Sequence, residues 1–160
     1  MSGQPRIEWQ EFKQLAPAAN AAILALGKSA EEAGLEKPLL ELVKLRASQI
    51  NRCAFCLQMH LNVSRGMDMP AEKLDLVGAW REAGIYSPRE QAALAWTELL
   101  TEISEHDVAD ADYAAVSQHF NKTELAFLTA TICAINSWNR IAVSFRFTPQ
   151  APQRKPASAA

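Results

Sequence analysis

The chain has 160 residues, 49% hydrophobic and 21% charged, with a formal net charge of -2. That is the balance of a single globular domain with a sizeable core. It offers no basic field for nucleic acid or anionic lipid. No uninterrupted apolar run approaches the roughly 20 residues that span a bilayer, so neither nucleic acid nor membrane is an expected partner. The opening "MSGQPRIEWQ" carries Pro5, Glu8 and Gln10 where a secretory signal needs an apolar run. The expected location is therefore cytoplasmic, where thiols stay reduced and a close cysteine pair reads as catalytic or metal-binding.

Taken in chain order, almost every segment predicts helix, and strict period-two alternation is hard to find. Helices are expected at 9–33 with a break near Pro17, then 37–50, 52–66, 70–82, 88–105, 109–119 and 122–146. Their starts are well marked. Ser87, Pro88 and Glu90 form a capping-box sequence, Asn121 and Glu124 repeat it, and Asp107 with Asp110 suggests a third. Pro70 marks another start, and Gly66 and Gly84 sit where helices should stop. The last helix has two apolar stripes, Leu125, Leu128, Ile132, Ile135 and Ala142 beside Phe127, Ala134, Trp138, Ile141 and Phe145. Two apolar faces suit a central helix or one also buried against another subunit, and a homo-oligomer is expected. The domain is assigned to residues 1–147, and the Pro/Ala-rich stretch 148–160 to a flexible tail.

The chemistry concentrates in "NRCAFCLQMH", residues 51–60. Cysteines at i and i+3 in a first helical turn lie within reach of a disulfide. With Asn51 as N-cap, Cys53 and Cys56 fall where unpaired N–H groups favour thiolate. His60 lies four residues past Cys56 on the same face, but roughly 10 Å along the axis from Cys53. The helix dipole thus favours Cys53 as the more acidic thiol and the histidine favours Cys56. The second effect is the more specific, because a base in contact can take a proton and return it. A thioredoxin-like use of the pair needs a βαβ context that this chain lacks. A zinc site needs about four ligands, so Cys53, Cys56 and His60 would require His106, His119 or Cys133 as well.

The stretch "ELVKLRASQINRCAFCLQMH" resembles the core motif of the AhpD-like alkylhydroperoxidases within the carboxymuconolactone decarboxylase family. The matching positions are Glu41, the "RAS" of residues 46–48, Cys53, Cys56 and His60, and "INSWNR" at 135–140 continues the likeness. The resemblance implies an all-α fold, an AhpD-like helical bundle with the CxxC at a helix N-terminus. It also implies assembly into dimers, trimers or hexamers, and a peroxidase with neither haem nor flavin, so no cofactor is expected. Carried onto this chain, Cys56 is the peroxidatic thiol and Cys53 the thiol that resolves its sulfenic acid into a disulfide. His60 moves the proton and Glu41 orients His60. The partners implied are a hydroperoxide substrate in antioxidant defence and a dithiol reductant of unknown identity.

Glu41 precedes Cys53 by roughly 18 Å if one helix runs straight through, so the assignment requires a bend near Ile50 and Asn51. Members of the family can carry a histidine between the cysteines; here the pair is Ala54 and Phe55, and Phe55 moves no proton. It walls an apolar pocket or simply packs. His106 and His119 read as surface histidines near helix ends, and Cys133 as an inert core thiol. Asn136 and Asn139 are expected to brace the site or a neighbouring subunit, since buried amides need partners. Arg46 and Arg52 flank the segment and could favour thiolate, though solvated arginines fit equally. Two other functions remain open: a non-catalytic zinc-binding or redox-sensing module, and a lactone decarboxylase, whose chemistry would not depend on a CxxC.

Overall fold

The structure, a computed structural model, describes residues 3–152. Its described residues form α1 (Trp9–Leu15), α2 (Pro17–Glu32), α3 (Lys37–Ile50), α4 (Ala54–Gly66), α5 (Ala71–Asp75), α6 (Trp80–Ala83), α7 (Pro88–Thr101), α8 (Asp110–Ser117) and α9 (Lys122–Phe145), with a 3₁₀ turn at Val77–Ala79 before α6 and no strand. The all-α expectation holds, as does the break at Pro17, whose ring suits the first position of α2. The capping boxes at Ser87 and Asn121 form as read, each with reciprocal bonds to Glu90 and Glu124. The third does not: Ala109 is the N-cap of α8 and Asp112 accepts its N–H at 3.1 Å. Residues 70–82 also break up. Leu74, Val77 and Trp80 recur every third residue, a 3₁₀ spacing, and the segment coils so that all three reach the core.

The centre of the molecule is α3, which touches α4, α7 and α9. Leu40, Leu42, Val43 and Leu45 are completely buried, each side chain contributing about 1.5–3 kcal/mol over an exposed one. Leu39, Leu40 and Val43 face α7 and α9; Leu42 and Leu45 face Leu74, Val77, Trp80 and Leu94. Ala47 sits at the end beside Cys53 and Cys56, a small residue that brings α3 close to the dithiol.

Both stripes of α9 are used within the chain. The first is buried against α3 and α7, and the second lies along α1 and α2, with Trp138 and Phe145 edge-on or tilted against Phe12. Exposed apolar side chains are scattered over several elements, among them Leu15, Leu24 and Leu26 on α1 and α2, Val63 on α4 and Val143 on α9 itself. Cys133, expected in the core, is exposed on the outer edge of α9. Its apolar neighbours Ile132 and Ala134 are buried, but the 100° step of the helix turns Cys133 outward between them. Thr148 and Ala151 are tied to the body by bonds to Glu8 and Asn62; the rest of the tail, residues 153–160, lies outside the described residues. No helix of the described residues is long and apolar enough to cross a membrane.

Candidate active site

The bend that Glu41 requires is present, and its geometry is specific. Arg52 takes a left-handed conformation, φ +55°. The Cys53 N–H then donates to Ser48 C=O at 2.9 Å and the Arg52 N–H to Gln49 C=O at 3.0 Å. These two bonds make a Schellman motif, which closes α3 and redirects the chain. Asn51 is therefore the C-cap of α3 and not the N-cap of α4; Cys53 itself is that N-cap. Its sulfur accepts the Cys56 N–H at 3.4 Å.

Folding back places α4 against α3, and Glu41 meets His60. Their side chains are 2.7 Å apart, Oε2 to Nδ1, both buried. That contact leaves Nε2 as the ring nitrogen not engaged by Glu41. The other carboxylate oxygen accepts from Lys44 Nζ at 2.9 Å, and the lysine side chain is only 13% exposed. Burial opposes ionisation of Glu41, but the hydrogen bond and charge of His60, with those of Lys44, outweigh it and hold the carboxyl below its usual range. The sequence reading missed Lys44. Its signal was available in the i, i+3 spacing from Glu41, which puts both on one helix face.

The sulfurs are nearly solvent-free, Cys53 at 2% exposure and Cys56 at 1%. Hydrogen bonding from the Cys56 thiol is the largest influence on Cys53. Against the opposing effect of burial, and helped by the N–H groups of Cys56 and Phe55 and by Asn139, it brings Cys53 down to about 7. Cys56 is pushed up, first by sharing its proton with Cys53 and then by burial and the adjacent charge. The helix-end effect thus falls on Cys53, as its N-cap position dictates.

Two residues of α9 complete the polar side. Asn51 Nδ2 lies 3.0 Å from Ala47 C=O and 2.9 Å from Oδ1 of both Asn136 and Asn139, so its protons are shared among three acceptors. Asn136 donates to Thr101 Oγ1 and Ile132 C=O, and Asn139 to Ser48 Oγ. On the apolar side, Phe55 packs against Trp9 and Phe147 at ring separations of 5.7 and 5.2 Å, and Trp9 against Trp138 at 5.1 Å. Phe55 is thus part of an aromatic cover drawn from both ends of the chain.

The remaining candidates lie elsewhere. Arg46 is turned to Glu98 and Gln49. Arg52 is exposed at the bend. His106 and His119 border a groove of about 620 Å³ lined by α6, α7 and α8. Neither they nor Cys133 join Cys53, Cys56 and His60, and among the described residues no group of three or more His, Cys, Asp or Glu side chains is placed to hold a metal ion.

The buried dithiol and the Glu41–His60 pair lie at the positions on which the resemblance to AhpD-like proteins rests. The chain belongs to the carboxymuconolactone decarboxylase family, whose model matches residues 16–99. It is 34% identical to the uncharacterized protein YdfG of Bacillus subtilis over 83% of this chain and 90% of that one. Among solved structures it resembles ATU0492 of Agrobacterium tumefaciens, a protein of unknown function proposed to be the antioxidant defence protein AhpD. The TM-score is 0.85 at 37% identity, over 92% of this chain and 99% of that one. The debrominase Bmp8 shares the fold, with a TM-score of 0.76 at 14% identity over 86% and 74% of the two chains.

Proposed function

We propose that the protein is a cysteine-based peroxidase that reduces hydroperoxides through a Cys53–Cys56 disulfide cycle. The observation that carries this is the dithiol at the start of α4, its Cys53 sulfur accepting the Cys56 N–H, in a chain whose His60 is held by Glu41 at 2.7 Å. The likeness to ATU0492 supports it.

His60 takes the Cys56 proton, directly or through water, while Glu41 stabilises the imidazolium. The Cys56 thiolate attacks the terminal oxygen of the hydroperoxide and the O–O bond breaks. The alkoxide leaves as alcohol with the proton from His60, and Cys56 becomes a sulfenic acid. Cys53, as thiolate, attacks that sulfur, and hydroxide leaves as water after protonation. An external dithiol then opens the disulfide by exchange and is itself oxidised. The exposed apolar residues of α1 and α2 support assembly into a homo-oligomer.

In a second reading the two sulfurs exchange roles, and the N-cap geometry favours it by placing the more acidic thiol at Cys53. Sulfenic-acid trapping on single variants separates the two. If Cys56 is peroxidatic, Cys53→Ser accumulates one sulfenic acid per chain and Cys56→Ser none; exchanged roles give the reverse. The test of the function itself is a free-thiol count before and after one equivalent of an organic hydroperoxide. Loss of two of the three thiols, restored by a dithiol, is expected. No loss would overturn the peroxidase.

A further inference from the structure

Lys44, Glu41 and His60 are joined by two short contacts. Lys44 Nζ donates to Glu41 Oε1 at 2.9 Å, and Glu41 Oε2 lies 2.7 Å from His60 Nδ1. Glu41 and Lys44 stand three residues apart on one face of α3, so the ammonium reaches the carboxylate within its own helix. The side chains of Lys44, Glu41 and His60 are 13%, 6% and 10% exposed, so water screens their charges poorly. The other ionisable groups around His60 are the two cysteines and side chains turned elsewhere. Cys56 lies on α4 and Cys53 at its cap, while Arg65 is exposed. On α9, Asn136 and Asn139 are the buried polar residues, and Arg140 is exposed and bonded to Asn136. On α5, Lys73 is bound to Glu90, and Glu72 and Asp75 are exposed.

The Glu41–His60 pair can hold one proton or two. With one, the carboxylate only accepts, so the proton sits on Nδ1 and Nε2 keeps its lone pair. With two, the ring is an imidazolium and neither nitrogen can accept a proton. A buried carboxylate–imidazole pair by itself prefers two protons, because one proton leaves an uncompensated negative charge. The Lys44 ammonium inverts that preference. One proton on the pair now gives a neutral group of three side chains, and a second leaves an excess positive charge.

We propose that Lys44 is a positioning residue that limits the Glu41–His60 pair to a single proton near neutral pH, and so keeps His60 Nε2 bare as the base. Lys44 acts through Glu41 and takes no proton itself. The use of that base rests on the peroxidase reading above, but the readout below is the ring itself and needs no turnover, so either can fail alone.

The experiment is a pH titration of the His60 ring by nitrogen NMR on the reduced protein, with the ring assigned by its loss in His60→Gln. The wild type is expected to show the Nδ1–H tautomer at neutral pH, and the midpoint belongs to the pair. Lys44→Met, which keeps much of the aliphatic stem and removes the charge, should raise that midpoint by about one pH unit, a roughly tenfold gain in proton affinity. Lys44→Arg keeps the charge and should hold the wild-type midpoint. Lys73→Met is the control, since it also removes an ammonium bound to a carboxylate, Glu90, and should leave the midpoint in place. If Lys44→Met does not fold, Lys44→Gln is titrated instead. An unmoved midpoint in the folded Lys44 variant overturns the proposal. So does an equal displacement in Lys73→Met or Lys44→Arg, or the Nε2–H tautomer in the wild type.

Discussion

Two carboxylates, the buried Glu41 and the partly buried Glu98, look alike by most measures. Each sits on a long helix, is 6% or 12% exposed at the side chain, and is held below the usual carboxylate range. In each case burial works against ionisation and partners overcome it. The partners differ. Glu98 receives the Trp80 indole N–H at 3.0 Å, Arg46 at 2.6 Å and Arg81, donors that do not change charge near neutral pH. Glu41 is held by Lys44 and by the imidazole of His60. Burial and a depressed pKa are thus common to both carboxylates; what distinguishes them is the partner, two arginines and an indole at Glu98, a lysine and an imidazole at Glu41.

The widest separation is expected in turnover. His60→Gln should lower peroxide consumption by at least about a hundredfold, the scale of a general acid–base contribution, and Glu41→Gln by about tenfold through loss of charge stabilisation. Glu98→Gln should leave turnover unchanged. Steady-state peroxidase assays of the three variants would break the comparison if Glu98→Gln were as damaging as Glu41→Gln. Next comes stability: Glu98→Gln removes the charge facing two arginines and turns one acceptor oxygen into a donor, and should cost about 1–3 kcal/mol by urea denaturation.

The acid response follows from sign. Both carboxyls are more acidic folded than unfolded, so each adds stability above about pH 4.5, lost as pH falls from there through the folded value. The wild type should weaken steeply below pH 4.5 in thermal melts, and each Gln variant less steeply; parallel curves would refute the shifts. The smallest effect is expected for Lys44→Met, a few-fold loss of turnover with pH-stability behaviour intermediate between wild type and Glu41→Gln.

Much of this arrangement is legible before folding, for identifiable reasons. The sequence-assigned residues Glu41 and His60 meet, because Pro38 starts α3 and the chain must turn before Cys53. The cap assignment shifted by two residues because Arg52 occupies a left-handed position usually marked by glycine, and nothing in "NRC" announces it. Asn51 has the residue type of an N-cap, yet its side chain is used across the helix interface, a choice that only tertiary contact decides. Cys133 shows the same limit: an apolar run gives composition, while exposure depends on helical phase to within one residue. The aromatic cover was beyond reach, since Trp9, Phe55 and Phe147 are far apart in the chain and unremarkable singly.

That cover has a consequence for the chain during its synthesis. The dithiol leaves the ribosome long before α9 and Phe147, so for that interval Cys53 and Cys56 lack the aromatic seal. Until then both side chains are open to solvent. Only when the last turn of α9 docks, with Phe145 C=O receiving the Arg6 N–H at 2.9 Å, is the pair enclosed. Enclosure of the pair is thus a property of the finished chain, and a nascent or C-terminally clipped molecule would display the same two cysteines without their aromatic cover.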